Sequence, residues 1–322
     1  VTRLGKVVVG GLVAVLVFVG VGVLLDREGG TPFFDSHGCT AEVDGLVVEL
    51  TLEQAENAAL ITAIAMQRGL PARAASIALA TAYQESEILN IEHGDRDSVG
   101  LFQQRPSQGW GTVEEILDPV YSTNAFYDGL VRVEGYEAME ITAAAQAVQR
   151  SAYPDAYADH EADGRALASA LTGNHEAAFW CDTPGDAEEA SDRLDEAGLV
   201  ARAATVREEL ESVFGPLSLG GFQPGGVSSG HMDGSAHYEG RAVDIFFRPV
   251  NAANQERGWA MAHYLVAQAD RLSINTIIFD DRIWRSGSRS GSGWTDYDVP
   301  SSSGGDRAIL EHRDHVHVDV AD

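Results

Sequence analysis

Lysine is nearly missing from this chain: Lys6 is the single lysine among 22 basic residues, which face 49 aspartates and glutamates. The formal net charge of −27 excludes a nucleic-acid binder, which needs a basic footprint to neutralise phosphates. It also excludes electrostatic adsorption to anionic lipid. Cysteine is almost as scarce, with two in 322 residues, and no internal repeat is visible. What is present is ordinary for a globular protein: 44% of the residues are apolar. The length suffices for two modest domains, each with its own core.

Charge is also missing locally. Residues 7–25 carry none, and at helical rise they extend about 28 Å, close to the hydrocarbon core of a bilayer. Arg3 and Lys6 precede this run, while Asp26, Arg27 and Glu28 follow it. The basic flank predicts a single-pass anchor with its N-terminus in the cytoplasm and the rest of the chain outside the cell membrane. A cleaved signal peptide is the alternative, but Ala14 is the only alanine before residue 30, so no Ala-x-Ala site follows the run. In an exported chain two cysteines predict one disulfide, Cys39 to Cys181, around the first helical region.

Punctuation then divides the chain. Residues 1–30 form the anchor and 31–50 a stalk. Thr51-Leu-Glu-Gln54 reads as a capping box that opens a helix to about Gln67. Gly69-Leu-Pro71 breaks it, and an alanine-rich helix follows to about Leu89. Further helices around 113–150 and 161–172 make the region 51–181 mainly α. Residues 182–204 are an acidic linker. From 205 to 322, short apolar strands alternate with Gly- and Ser-rich loops and one helix at about 255–271, an α+β pattern.

The chemistry of the last region lies in two clusters. The first is Ser235-Ala-His237-Tyr-Glu-Gly240-Arg-Ala242-Val-Asp244, and the second is His312-Arg-Asp314-His315-Val-His317-Val-Asp319. Six of the ten histidines lie after residue 230. Period-two alternation puts Val316, Val318 and Val320 on one strand face and His315, His317 and Asp319 on the other. His237, Asp244 and His317 together offer two imidazoles and a carboxylate to one metal, with a fourth position open for water.

These clusters resemble the Ser-x-His-x-x-Gly-x-Ala-x-Asp motif of the zinc D-alanyl-D-alanine carboxypeptidases and of the related lysostaphin and hedgehog superfamily. The ending resembles the His-x-x-His-x-His of the penicillin-insensitive murein endopeptidase. The resemblance implies one Zn2+ on His237, Asp244 and His317, with His315 beside it as general base and Asp314 as the rival. One departure concerns specificity. The carboxypeptidases carry an arginine upstream of the first motif, and none occurs here between Arg207 and Arg241. An endopeptidase or a peptide-binding domain therefore stays open. Asp280, Arg282, Trp284 and Arg285, just past the apolar strand Ile274–Phe279, are candidates to line the substrate cleft.

The first region offers a different site. Glu85-Ser86 ends the alanine-rich helix, and Gly100-Leu101-Phe102-Gln103 follows. A partly desolvated carboxyl at such a place has a raised pKa and serves as a general acid. The pair of motifs resembles the lysozyme-like fold of the lytic transglycosylases, with Phe102 for their methionine. That implies Glu85 as catalytic acid, with Ser86 and Gln103 in substrate binding. The third motif of those enzymes is degenerate: Ala145-Gln-Ala-Val-Gln149 lacks the tyrosine that contacts the glutamate there. A transglycosylase closes an anhydro ring with the same glutamate, whereas a hydrolase needs a second carboxylate, for which Asp95 and Asp97 are candidates.

The expected fold class is thus multidomain: an N-terminal transmembrane helix, a mainly-α lysozyme-like domain, and an α+β zinc metallopeptidase-like domain with a small antiparallel sheet. The expected function is a membrane-anchored extracellular bifunctional peptidoglycan hydrolase, with peptidoglycan as partner and the membrane reached through the N-terminal helix. The alternatives are a wall-binding scaffold with inactive domains and a wall-opening lysozyme of a secretion or conjugation machine.

Overall fold

Among the described residues the chain reverses first at Asp44-Gly45, both at positive φ (52° and 82°), between the strands β1 (Gly38–Val43) and β2 (Leu46–Leu50). This is the Asp-Gly turn that matches the twist of a two-residue hairpin. The computed structural model describes residues 37–322 apart from 154, 186, 189, 300, 302 and 303. From Gly38 onward, the expected stalk is therefore a hairpin.

The capping box at Thr51 and Gln54 forms in both directions and opens α1 (Leu52–Gln67). The next helix, α2 (Ala72–Ser86), ends three residues earlier than the sequence pattern suggests. There follow α3 (Val113–Ile116), α4 (Pro119–Leu130), α5 (Ile141–Gln149) and α6 (Glu161–Leu171). The strand β3 (Phe179–Asp182) then returns to pair antiparallel with β1, giving a three-stranded sheet in the order β2-β1-β3. Its register sets Cys39 opposite Cys181, and the two form a disulfide.

The remaining elements are α7 (Ala201–Phe214), β4 (Leu219–Gly220), β5 (Ala242–Phe246), α8 (Ala252–Ala267), β6 (Ile274–Phe279), β7 (Arg282–Arg285), β8 (Thr295–Asp296), α9 (Arg307–Leu310) and β9 (His315–Val320). Six of these strands form one antiparallel sheet in the order β4-β5-β9-β6-β7-β8. β9 is interior to it and buried along its whole length. Val316, Val318 and Val320 enter the core, each worth roughly 1.5–3 kcal/mol relative to exposure.

The helix α8 is buried all round from Gly258 to Ala267, as a helix enclosed on every side must be. It packs on β6 and also on α1, α6 and β3. Specific bonds tie these parts: His263 Nδ1 to the Ala170 carbonyl (2.8 Å), Gln268 Nε2 to that of Glu56 (3.1 Å), and Trp294 Nε1 to that of Phe179 (2.8 Å). His37–Asp322 close into one unit with a continuous core.

The expected fold class is corrected on two points. Among the described residues no helix is long and apolar enough to cross a membrane, and the transmembrane helix expected over 7–25 lies outside the described residues. The described fold mixes helix and sheet, because β1 and β2 before the helices of 52–171 and β3 after them pair into one sheet.

The disulfide spans 142 residues of sequence. On the chain-entropy model such a loop stabilises by up to about 5 kcal/mol. Reduction is accordingly expected to lower the thermal unfolding midpoint substantially, read by calorimetry with and without reductant. An unchanged midpoint would mean that β1 and β3 are held by their pairing alone.

Candidate functional site

β5 and β9 are neighbours, and their register places Asp244 directly opposite His317. His237 arrives from a short 3₁₀ turn, Ala236–Glu239, that ends at Gly240 (φ 71°) just before β5. Three atoms meet there. His237 Nε2 lies 3.1 Å from His317 Nδ1, and Asp244 Oδ1 lies 3.2 Å from each of them. Ligands of a tetrahedral zinc at about 2.0–2.1 Å stand about 3.3 Å apart, so this triangle has the dimensions of one face of such a site.

The outer bonds set the tautomers. His237 Nδ1 faces the Gly221 carbonyl at 2.7 Å, so it carries the proton and Nε2 presents a lone pair. His317 Nε2 faces Asp319 Oδ2 at 3.3 Å, so Nδ1 presents its lone pair. Two imidazole lone pairs and a carboxylate oxygen therefore converge, an arrangement that calls for a cation. Outer carbonyl and carboxylate partners of this kind orient histidine ligands in metal sites. A proton is the other possible cation: burial pulls His317 down, but its bonds to Asp244 and Asp319 push it up to about 9.

Gly221 cannot be replaced. Its φ is +80°, and a Cβ there would lie 2.2 Å from His237 Cε1 and 2.9 Å from Asp244 Oδ2. The Gly220-Gly221 pair was the available sign of this close approach.

His315 and Asp314 form a dyad beside the triangle. His315 Nδ1 bonds Asp314 Oδ1 at 2.7 Å, and His315 Nε2 lies 3.8 Å from Asp244 Oδ1. Asp314 Oδ2 also accepts from Arg248 Nε at 2.6 Å. Although burial raises the Asp314 carboxyl, the bonds from His315 and Arg248 hold it below the usual range. With both oxygens engaged, Asp314 orients His315. His312 packs on His315 with ring centroids 4.6 Å apart, and burial, then His315, lowers it to about 3. The cleft over these groups has a volume of about 590 Å³, and its walls include His231, Arg248, Ile283, Arg285 and Tyr297.

Three of the four residues expected in this cleft lie elsewhere. Trp284 is fully buried, and its indole donates to the Cys181 carbonyl at 3.2 Å. Arg282 pairs with Asp296 and lines a separate hollow with Asp280 and Trp259. Strand parity is the reason: along β7 it is Ile283 and Arg285 that face the cleft, so Arg285 lies where expected while Arg282 and Trp284 point to the other side.

Glu85 stands at the last turn of α2, partly buried. Its Oε1 accepts from the Tyr157 hydroxyl at 2.6 Å and from Gln149 Nε2 at 3.1 Å. Gln149 Nε2 also donates to the Phe102 carbonyl at 2.8 Å. Burial raises the Glu85 pKa, against the lowering effect of Tyr157 and Gln149. The degenerate third motif thus leaves no gap at Glu85: a tyrosine contacts it from a 3₁₀ turn, Ala156–His160, eight positions past Gln149. Only tertiary packing reveals that contact.

The helix end is held in an unusual form. Glu87 and Ile88 both take left-handed φ (55° and 58°), costly for a β-branched residue. Gln54 Nε2 and Asn57 Nδ2 grip their carbonyls at 2.8 and 2.9 Å. Ser86 and Gln103, expected to touch substrate, are spent on backbone. Ser86 is buried, and its hydroxyl donates to the Leu101 carbonyl at 2.8 Å. The Gln103 amide reaches the His93 and Gly100 carbonyls, both at 3.3 Å. Asp97 is locked to Ser107 N and Arg105 Nε at 2.8 and 2.7 Å, and bonds from Ser107 and Arg105 hold its carboxyl well below the usual range. Asp95 is exposed, 3.8 Å from Arg96.

The family model described as VldE, C-terminal domain, matches residues 195–307. The matched stretch holds His237 and Asp244 and stops short of His315 and His317. No curated protein matches the chain. The C-terminal part is therefore similar to a domain that stands at the C-terminus in another family.

Proposed function

We propose that this protein cleaves peptidoglycan outside the cytoplasm, using one site for the glycan strand and a metal-dependent site for the peptides. The observation that carries the reading is the presence, in one unit, of a partly buried carboxyl group and a three-donor metal constellation. A polymer with both glycosidic and amide bonds is a substrate on which those two chemistries meet. The disulfide supports a place outside the reducing cytoplasm.

At the first site Glu85 gives its proton to the glycosidic oxygen. The bonds from Tyr157 and Gln149 both fall on Oε1, which leaves Oε2 to carry the acidic proton. Burial keeps that proton in place at a pH where an exposed glutamate has lost it. The commitment of Asp97 to Ser107 and Arg105 favours ring closure by Glu85 itself over hydrolysis with a second carboxylate.

At the second site His237, Asp244 and His317 would hold one Zn2+. Bound there, the ion polarises a carbonyl and acidifies water. His315 keeps its Nδ1 proton on Asp314, so Nε2 is free to accept a proton from the attacking water. Asp314 and Arg248 keep the imidazole in that orientation.

The test is mass spectrometry of purified peptidoglycan after digestion with the zinc-loaded protein. Anhydro-muropeptides and split cross-links are expected together, and a chelator should suppress only the split cross-links. Binding to the wall with no mass change would overturn the reading in favour of a scaffold.

A further inference from the structure

A glycine-rich loop covers the metal cleft. Gly225, Gly226, Gly230 and Gly234 all take positive φ (82°, 89°, 97° and 76°), and the loop they shape brings His231 over the triangle. The His231 ring stacks on that of His237, with centroids 3.9 Å apart and planes 26° apart. One ligand atom of each of His231, His237 and Asp244 lies within 4.8 Å of the others.

His231 is held there by its backbone. The Tyr238 hydroxyl accepts from the His231 N–H at 3.1 Å and donates to the His231 carbonyl at 2.6 Å. Tyr238 adjoins His237, so the clamp ties the loop to the turn that carries a ligand. Among the described residues no hydrogen bond engages the imidazole of His231 itself, although the residue is partly buried.

We propose that His231 is a fourth metal ligand, supplied by a movable loop, which closes the centre into a latent state. The inference rests on the metal-centre reading above. Tetrahedral ligands stand about 3.3 Å apart, so relative to His237 and Asp244 the His231 nitrogen needs to approach by about 1.5 Å, within reach of a loop that carries Gly230 and Gly234. Four protein ligands make a closed site, whereas a catalytic one keeps a position open. Opening is a ligand exchange: the His231 nitrogen leaves with its lone pair and water takes the vacated position. No proton or electron need be supplied. Substrate that fills the cleft would displace the loop, so latency would end when the wall is engaged.

The experiment uses Co2+ alone as the probe, added to the metal-free full chain, and reads visible d–d bands and a competition affinity. The wild type should show the bands of a site closed by four protein ligands and stay indifferent to azide. His231→Ala should shift those bands, respond to azide and bind Co2+ at least about tenfold more weakly, the scale on which even supporting groups act. Tyr238→Phe, which keeps the imidazole and loosens the loop, should respond to azide with a smaller loss of affinity. Wild-type bands and affinity in both variants would overturn the inference and leave the metal centre standing. Failure of the wild type to take up cobalt would overturn the metal-centre reading itself, and the fourth ligand with it.

Discussion

Glu85→Gln is expected to lose glycan cleavage by about 10²–10⁴-fold, the range typical of a deleted general acid. The amide keeps the shape and the contacts with Tyr157 and Gln149 but has no acidic proton to give. The fold should survive. Burial raises the Glu85 pKa in the native state, so its ionisation opposes folding as pH rises through that raised value, and an amide is free of this cost. The same shift sets the pH profile. Activity needs the protonated acid, so it should be full on the acidic side and fall as pH rises through the raised pKa. Tyr157→Phe removes a bond that favours the carboxylate, so it should move that limb to still higher pH. Glu87→Gln should be nearly silent, since Glu87 is exposed beyond the helix end. Muropeptide release measured across pH checks the four statements on activity, and thermal unfolding of Glu85→Gln checks the fold. Wild-type release by Glu85→Gln would assign the acid role to another residue.

His317→Ala is expected to abolish metal binding. Loss of an outer partner already costs about 10–100-fold in affinity, and His317 is a vertex of the triangle itself. Asp319→Asn, which alters the outer bond to His317 Nε2 and the one from Asn275 Nδ2 but leaves the triangle's own atoms in place, should fall in that smaller range. Zinc must displace the proton that Asp244 and Asp319 stabilise on His317, so affinity should rise between pH 6 and 8 with release of a proton. His93→Ala should change nothing, because His93 is exposed in the first region. Elemental analysis after dialysis, with chelator competition at two pH values, supplies the measurement. Full zinc content in His317→Ala would remove the triangle from the metal centre.

Some of this was legible in the sequence because the information is local or strictly periodic. The capping box at Thr51 and Gln54 involves four consecutive residues, and it forms as read. Alternation along 315–320 put two histidines and Asp319 on one face, since a strand has only two faces. The pairing of Cys39 with Cys181 followed from there being only two cysteines. The Asp44-Gly45 hairpin was equally local, but the stretch was read as a stalk.

What the sequence alone left open depends on which distant segments touch. The tyrosine on Glu85 comes from 72 residues away, and His231 lines the cleft with its backbone held by the Tyr238 hydroxyl. Parity along β7 was undecidable from four residues, so Arg282, Trp284 and Arg285 were all assigned to the cleft, where the register places Arg285 and buries Trp284 on the other side. The short-range code thus determined the capped helix, the faces of the last strand and the residue types of both sites. Only tertiary structure decided which donors converge, because lone-pair direction, tautomer and desolvation are set by neighbours that the chain brings together only when it closes.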